Sequence, residues 1–276
     1  MRKTALAASG FALLLALTAC GSESTPTTTN TAAPQAADKP ASSLFNDAQE
    51  LVRTASSKAD QSKTAKFTID MNMMGQKISG SGQGSFEGTN SKMSMTMQMM
   101  GMSLEMRMID GQVYIKMPEG QRAGGKPWIK ADKAALAELG QSMDQAEQSD
   151  PRKFLEMIQK AGKINKAEPA TLDGQEVSHY VIDLDLKKAG GMAGASEAQL
   201  SQLPDGVIVP LELWLNAEQL PVQITMDMGA MMKKMAEQSG QQLPPGDAKM
   251  TMKYSDWGAP VEVEAPPADQ VGTMPK

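Results

Sequence analysis

The sequence predicts an α+β protein, with one large antiparallel β-sheet and a few amphipathic helices on its apolar face. Two observations predict the sheet. Apolar and polar residues alternate with a period of two in one segment after another. Short turns, two of them Asp-Gly, join those segments into a meander. The helices follow from a third observation, since only a few stretches carry apolar residues at helical spacing.

The chain opens on MRKTALAASGFALLLALTAC. Arg2 and Lys3 precede an apolar run from Phe11 to Leu17, too short for a bilayer span of about 20 residues. This is the layout of a secretory signal peptide, expected over residues 1–19. Leu17-Thr18-Ala19-Cys20-Gly21 matches the bacterial lipobox, in which the cysteine is acylated and becomes the first residue after cleavage. The alternative is an ordinary secreted protein whose only cysteine falls there by chance. Cys20 is the single cysteine, so the chain has no internal disulfide and no thiolate metal site. Each buried CH₂ of an acyl chain such as palmitate contributes about 0.8 kcal/mol, and two or more chains anchor a protein stably. The expected location is therefore the extracytoplasmic side of the cell membrane, held by the lipid on Cys20.

Residues 20–42 read as that cysteine and a flexible stalk, too poor in large apolar side chains to fold. A single domain is expected over 43–271, with a short tail at 272–276. Loss of Arg2 and Lys3 with the signal peptide takes the formal charge from −5 to −7. Such an acidic domain is a poor partner for nucleic acid.

Leu44, Ala48, Leu51, Val52 and Ala55 share one face of a first helix. Strands follow, with Phe67, Ile69, Met71 and Met73 alternating with polar residues. Met93, Met95, Met97 and Met99 do the same, then Met102, Leu104, Met106 and Met108. After the Asp110-Gly111 turn come Val113, Ile115 and Met117. Leu136, Leu139 and Met143 mark a second helix. Asp150 as N-cap and Pro151 at the first helical position open a third, with Phe154, Met157, Ile158 and Ala161 inward and Gly162 as its stop. Further strands carry Tyr180, Ile182 and Leu184; Leu211, Leu213 and Leu215; Leu220, Val222, Ile224, Met226 and Met228; and Met250, Met252 and Tyr254. Asp173-Gly174 is the second hairpin turn. In the long connection over 229–247, Met231, Met232 and Met235 beside Lys233 and Lys234 predict a short amphipathic helix. It could touch a bilayer, cover a cavity mouth or dock on its own sheet.

The chain holds 24 methionines, eight of them between Lys92 and Met108, and only 4% aromatic residues. A tightly specified core prefers Leu, Ile and Val, whereas unbranched, adaptable Met suits a surface that must fit varied apolar partners. The expected cavity wall is Phe67, Ile69, Met71, Met73, Met93, Met95, Met97, Met99, Leu104, Met106, Met108, Leu213, Ile224, Met226 and Met250, a fit for flexible hydrocarbon chains. One rival is ordinary core. A second is a copper(I) site of Met-x-Met spacing, although these methionines sit in regular strands and the only histidine, His179, reads as a surface or hydrogen-bonded residue. A third is a scaffold or sensor whose partner is another protein. No nucleophile elbow, phosphate loop, H-E-x-x-H or Cys-His pair is present. The reading is of a non-enzyme with no cofactor. Asp183/Asp185 and Glu262/Glu264 read as solvated strand edges.

MRMIDGQVYIKMP, KPWIK, LDGQEVSHYVIDLDL, LPVQITMDMG and YSDWGAPVEVEAPPADQV, in this order, resemble the LppX/LprAFG family of bacterial lipoproteins. The resemblance runs from about Ser43 to Val271. It implies a LolA/LolB-like carrier fold, a curved antiparallel half-barrel with helices across its concave apolar side. It also implies binding of lipid or lipoglycan acyl chains, their movement across the envelope with a transporter as a further partner, and no enzyme activity. Cys20 matches the acylated cysteine of that family. Asp110-Gly111 and Tyr254-Ser255-Asp256-Trp257-Gly258 match structural positions. The methionine excess and the long 229–247 connection depart from it.

Overall fold

The computed structural model describes residues 44–73, 75–87, 90–99, 101–131, 150–189, 206–240 and 246–273. The signal peptide, Cys20, the stalk and the helix expected at Leu136, Leu139 and Met143 lie outside them.

Helix α1 (Ala48–Ser62) starts where Asp47 Oδ1 accepts from the backbone N–H groups of Gln49 and Glu50 at 2.9 and 3.0 Å, two of the donors that a helix start leaves unpaired. It buries Leu51, Val52, Ala55 and Ala59. The chain then runs as a meander through β1 (Thr64–Met73), β2 (Gln76–Ser85), β3 (Lys92–Met99), β4 (Met102–Ile109), β5 (Gln112–Lys116) and β6 (Trp128–Ala131). Helix α2 (Pro151–Ala161) follows, then β7 (Gly162–Leu172), β8 (Gln175–Asp185) and a single turn, α3 (Leu186–Ala189). Strands β9 (Ile208–Leu215) and β10 (Pro221–Asp227), helix α4 (Gly229–Ser239), β11 (Ala248–Ser255) and β12 (Val271–Thr273) complete it.

The twelve described strands form one open, curved sheet in the order β12-β6-β5-β4-β3-β2-β1-β11-β10-β9-β8-β7. Pairing is antiparallel throughout except at β12, which lies parallel to β6. The two Asp-Gly turns adopt the left-handed backbone that hairpins require, with φ of 49° and 74° at Asp110 and Gly111 and of 50° and 80° at Asp173 and Gly174. Strand β12 runs to Thr273, two residues past the expected end of the domain.

Helices α1 and α2 pack against each other and against β7. Arg152 clips them together, binding Asp150 beside it and Asp60 of α1 at 3.3 Å. Asp150 caps α2 by accepting from Arg152 N at 2.9 Å. Gly162 ends α2 for a reason other than a left-handed cap. Its φ is −87°, and an added Cβ would lie 2.6 Å from the Ile158 carbonyl oxygen, so only glycine lets the chain pass from helix into strand here. Between helices and sheet, Leu155 and Ile158 of α2 and Tyr180, Ile182, Leu184, Leu211 and Leu213 of the strands are wholly buried in one continuous apolar core. The buried Tyr180 hydroxyl accepts from Phe45 N at 3.2 Å, and burial raises its pKa.

The segment after β11 is a strap, not the strand edge expected around Glu262 and Glu264. It crosses the polar face of the sheet, where Gln83 Nε2 donates to the Glu262 carbonyl at 2.8 Å and Arg107 Nη1 to the Glu264 carbonyl at 3.0 Å. Val263 is buried under it while both glutamate side chains stay exposed. Near the strap, Glu105 receives hydrogen bonds from Arg107 and Lys116 at 2.8 Å each, and Arg107 stands 4.6 Å over the Trp128 ring. Burial alone would raise the Glu105 carboxyl, but the bonds from Lys116 and Arg107 outweigh it and hold its pKa below the usual range.

Candidate functional site

Residues directly opposite each other in an antiparallel sheet point to the same face, so the strand registers align the apolar face into transverse rows. The row nearest the β1–β2 and β3–β4 turns reads Ile182, Leu211, Met226, Met250, Met71, Ile78, Met99, Met102, from β8 to β4. The next reads Tyr180, Leu213, Ile224, Met252, Ile69, Gly80, Met97, Leu104. A third holds Tyr254, Phe67, Gly82, Met95, Met106 and Ile115, and a fourth Ala65, Gly84, Met93, Met108, Val113 and Ala131.

Cover over these rows fails in two directions. The fourth row is buried throughout. In the first row, Ile182 and Leu211 are 0% exposed and Met226 6%, whereas Met99 reaches 42% and Met102 57%. Met250, Met71 and Ile78 between them are half-buried. The helices shield the β8–β10 side, and the corner formed by β1 to β4 near their turns is left open. Exposed apolar surface of this kind, gathered rather than scattered, marks a contact site.

The expected wall therefore divides. Phe67, Met93, Met95, Met106, Met108, Leu213, Ile224 and Met226 belong to the packed core. Ile69, Met71, Met73, Met97, Leu104 and Met250 are half-buried, and Met99 is exposed. The open corner also includes Ile78 and Met102, which the strand patterns did not place in the wall. Helix α4 forms where the amphipathic helix was expected, with Met231 packed against the core and Lys233 and Lys234 in solvent.

Strand β2 gives the corner its relief. It puts Gly80, Gly82 and Gly84 on the apolar face, leaving a trough about 6.8 Å long per glycine step. Neighbours fill that trough level by level. An added Cβ would meet the Phe67 ring at Gly82 (2.5 Å) and the Phe86 ring at Gly84 (3.2 Å), but the Met97 Cγ at Gly80 (3.4 Å). Two levels are closed by buried aromatic rings. The level nearest the open corner is closed by a flexible thioether.

Oxidation should read this gradient directly. Under limiting peroxide, Met99 and Met102 are expected to become sulfoxides before Met93, Met95, Met106 and Met252, which are at most 7% exposed. Peptide mapping by mass spectrometry gives the order, and equal rates at all six would contradict it.

His179 lies on the opposite face. Its Nε2 is 2.8 Å from Glu212 and its Nδ1 3.4 Å from Glu168, with the ring stacked on Trp214 at 4.5 Å. It is a hydrogen-bonded sheet residue, as its strand pattern indicated. A bulge between Pro221 and Gln223 breaks the expected alternation of β10. Val222 then lines a cleft of about 870 Å³ that lies on the polar face, away from the methionine corner. No described helix is long and apolar enough to cross a membrane.

No family model matches the chain, and no curated protein does. Solved structures do match. LprF from Mycobacterium bovis aligns over 81% of this chain and 99% of its own at 13% identity, with a TM-score of 0.49. MucB aligns over 81% of this chain and 62% of its own at 13% identity and a TM-score of 0.37. MucB in complex with MucA(peri) aligns over 80% and 59% at 11% identity and 0.36. The antiparallel sheet with helices packed on its apolar face is the α+β fold class expected from the sequence.

Proposed function

We propose that the protein binds the acyl chains of a lipid or glycolipid at the open methionine corner, as a lipid-anchored lipoprotein on the extracytoplasmic side of the cell membrane. The observation that carries this reading is the exposure gradient along the first transverse row, from 0% at Leu211 to 57% at Met102. A chain laid against Met71, Met73, Met97, Met99, Leu104 and Met250 would cover half-exposed apolar surface, at about 25 cal/mol for each Å² removed from water. Displacing Met97 from the Gly80 level would extend the contact into the β2 trough. The buried rows below form the rigid floor that the methionines move against.

The account includes no covalent chemistry and no cofactor. Anchoring through Cys20 would keep the domain near its lipid source, and onward transfer to an envelope transporter is the partner step this reading implies. Native mass spectrometry on the protein purified from a lipid-containing host tests the binding. Adducts with the spread of masses typical of phospholipids or glycolipids are the expected result. A clean apo mass would remove the proposal, and a mass raised only by copper would replace it with the Met-x-Met metal reading.

A further inference from the structure

The polar face carries a second recess, and the size of its side chains creates it. Across β1, β2 and β3, Thr68, Ser81 and Thr96 form one cross-strand row, and Ser94 stands in the next. With Ser255 of β11, five short hydroxyl side chains share the cleft of about 870 Å³. The Thr68 row continues beyond β3 into Glu105 and Lys116, and the next into Arg107, long side chains tied together by ion pairs. Such residues fill the polar face there. Short hydroxyls leave it hollow.

Two ion pairs stand at the rim. The turn of the β7–β8 hairpin reaches over the polar face to β11, three strand spacings or roughly 14 Å away across a flat sheet, and Asp173 binds Lys253 Nζ at 2.7 Å. Lys66 pairs with Asp256 at 3.0 Å. Of the lysines and carboxylates lining the cleft, only Glu218 is left outside these two pairs. The cleft is thus close to neutral and rich in short donors and acceptors, with no concentrated positive charge to attract a phosphate. Trp257 adds an aromatic ring to the wall, its Nε1–H already committed to the Pro221 carbonyl at 2.9 Å. The volume falls in the range of small-molecule sites, about 300–1,000 Å³.

We infer that this cleft binds a neutral oligosaccharide. A sugar presents what the lining is built to meet, namely many hydroxyls that both donate and accept, with apolar C–H faces suited to an indole. A peptide strand would seek a free sheet edge, and the floor here is the middle of the sheet. The inference stands on this face alone and does not depend on lipid binding at the methionine corner. The sugar is a glycan separate from the lipid, because the methionine corner lies on the other face of the sheet.

The test uses the full-length chain in a detergent without sugar headgroups, titrated with neutral glucose-, mannose- and galactose-based tetrasaccharides and followed by calorimetry. Saturable binding of at least one is expected, weakened tenfold or more in Ser94→Arg and in Thr96→Arg, which fill the hollow from half-buried positions on the polar face. Melting temperatures of these variants should stay near that of the parent. Lipid adducts in native mass spectra should also persist in them, so a failure here is separate from a failure of the lipid reading. Absence of saturable binding across the panel, or binding indifferent to both arginines, would overturn the inference.

Discussion

Met97→Trp is expected to remove most of the co-purifying lipid while leaving the fold intact. Met97 is half-buried beside the Gly80 level of the β2 trough, opposite Leu104 and next to the open turns. An indole there fills the trough with a ring that cannot swing aside as a thioether can. Lipid content measured by native mass spectrometry should fall tenfold or more, and the melting temperature should move by only a few degrees. The same change at Met226 is a different experiment. That residue is 6% exposed and packed in the core, so tryptophan there would overpack it at a cost of about 1–3 kcal/mol. Lipid retained in Met97→Trp at the parent level would contradict the assignment of the corner.

Gly82→Ala is expected to be strongly destabilising for a single added methyl group. Its Cβ would lie 2.5 Å from the Phe67 ring and 2.5 Å from the Ser94 carbonyl oxygen. Phe67 is 2% exposed and cannot retreat into solvent, and the carbonyl belongs to the β2–β3 ladder. Relief requires shifts of ring and backbone together, costing about 3 kcal/mol, the upper end for overpacking. For a domain of this size that lowers Tm by roughly 6–12 °C, measured by calorimetry. Phe67→Leu in the same chain should recover part of the loss, because it removes one of the two clashes, and the pair should be less than additive. A drop below about 1 °C in the single variant would mean that the rows are looser than described.

Much of the sheet was legible because alternation records burial. Phe67 to Met73, Met93 to Met99 and Met102 to Met108 are strands whose apolar residues all fall on one face, and both Asp-Gly turns are hairpins. Strand β2 was not legible, although it has the same period of two. Past Ile78 its inward positions are Gly80, Gly82 and Gly84, so the pattern is written in missing side chains, and a hydropathy reading passes over it. The signal was the glycine spacing itself, next to a strand that carries a large aromatic ring at Phe67. Strand β7 hid for another reason. It lies at the sheet edge, and most of its side chains are half-buried or exposed, so KINKAEPATL carries no apolar stripe.

The apolar face was legible, but its cover was not. Alternation identifies an inward face and does not say how much of that face the helices cover. Met95 and Met99 look equivalent along β3, yet one is 5% exposed and the other 42%. The difference lies in the row each occupies and what docks over it: Met95 stands in the row of Phe67 and Met106, Met99 beside Met102 at the β3–β4 turn. Docking of that kind is a long-range property. The strap is similar, since Val261 to Glu264 alternates like a strand but crosses the polar face, with Val263 buried beneath it.

The most direct test of acyl binding at the open corner is photo-crosslinking with a phospholipid that carries a diazirine near the end of one acyl chain. The protein is incubated with vesicles containing the probe, irradiated, digested and mapped by mass spectrometry. The account predicts adducts concentrated on Met71, Met97, Met99, Leu104 and Met250, and their loss in Met97→Trp. Adducts confined to the polar face, or scattered without preference over the surface, would contradict it.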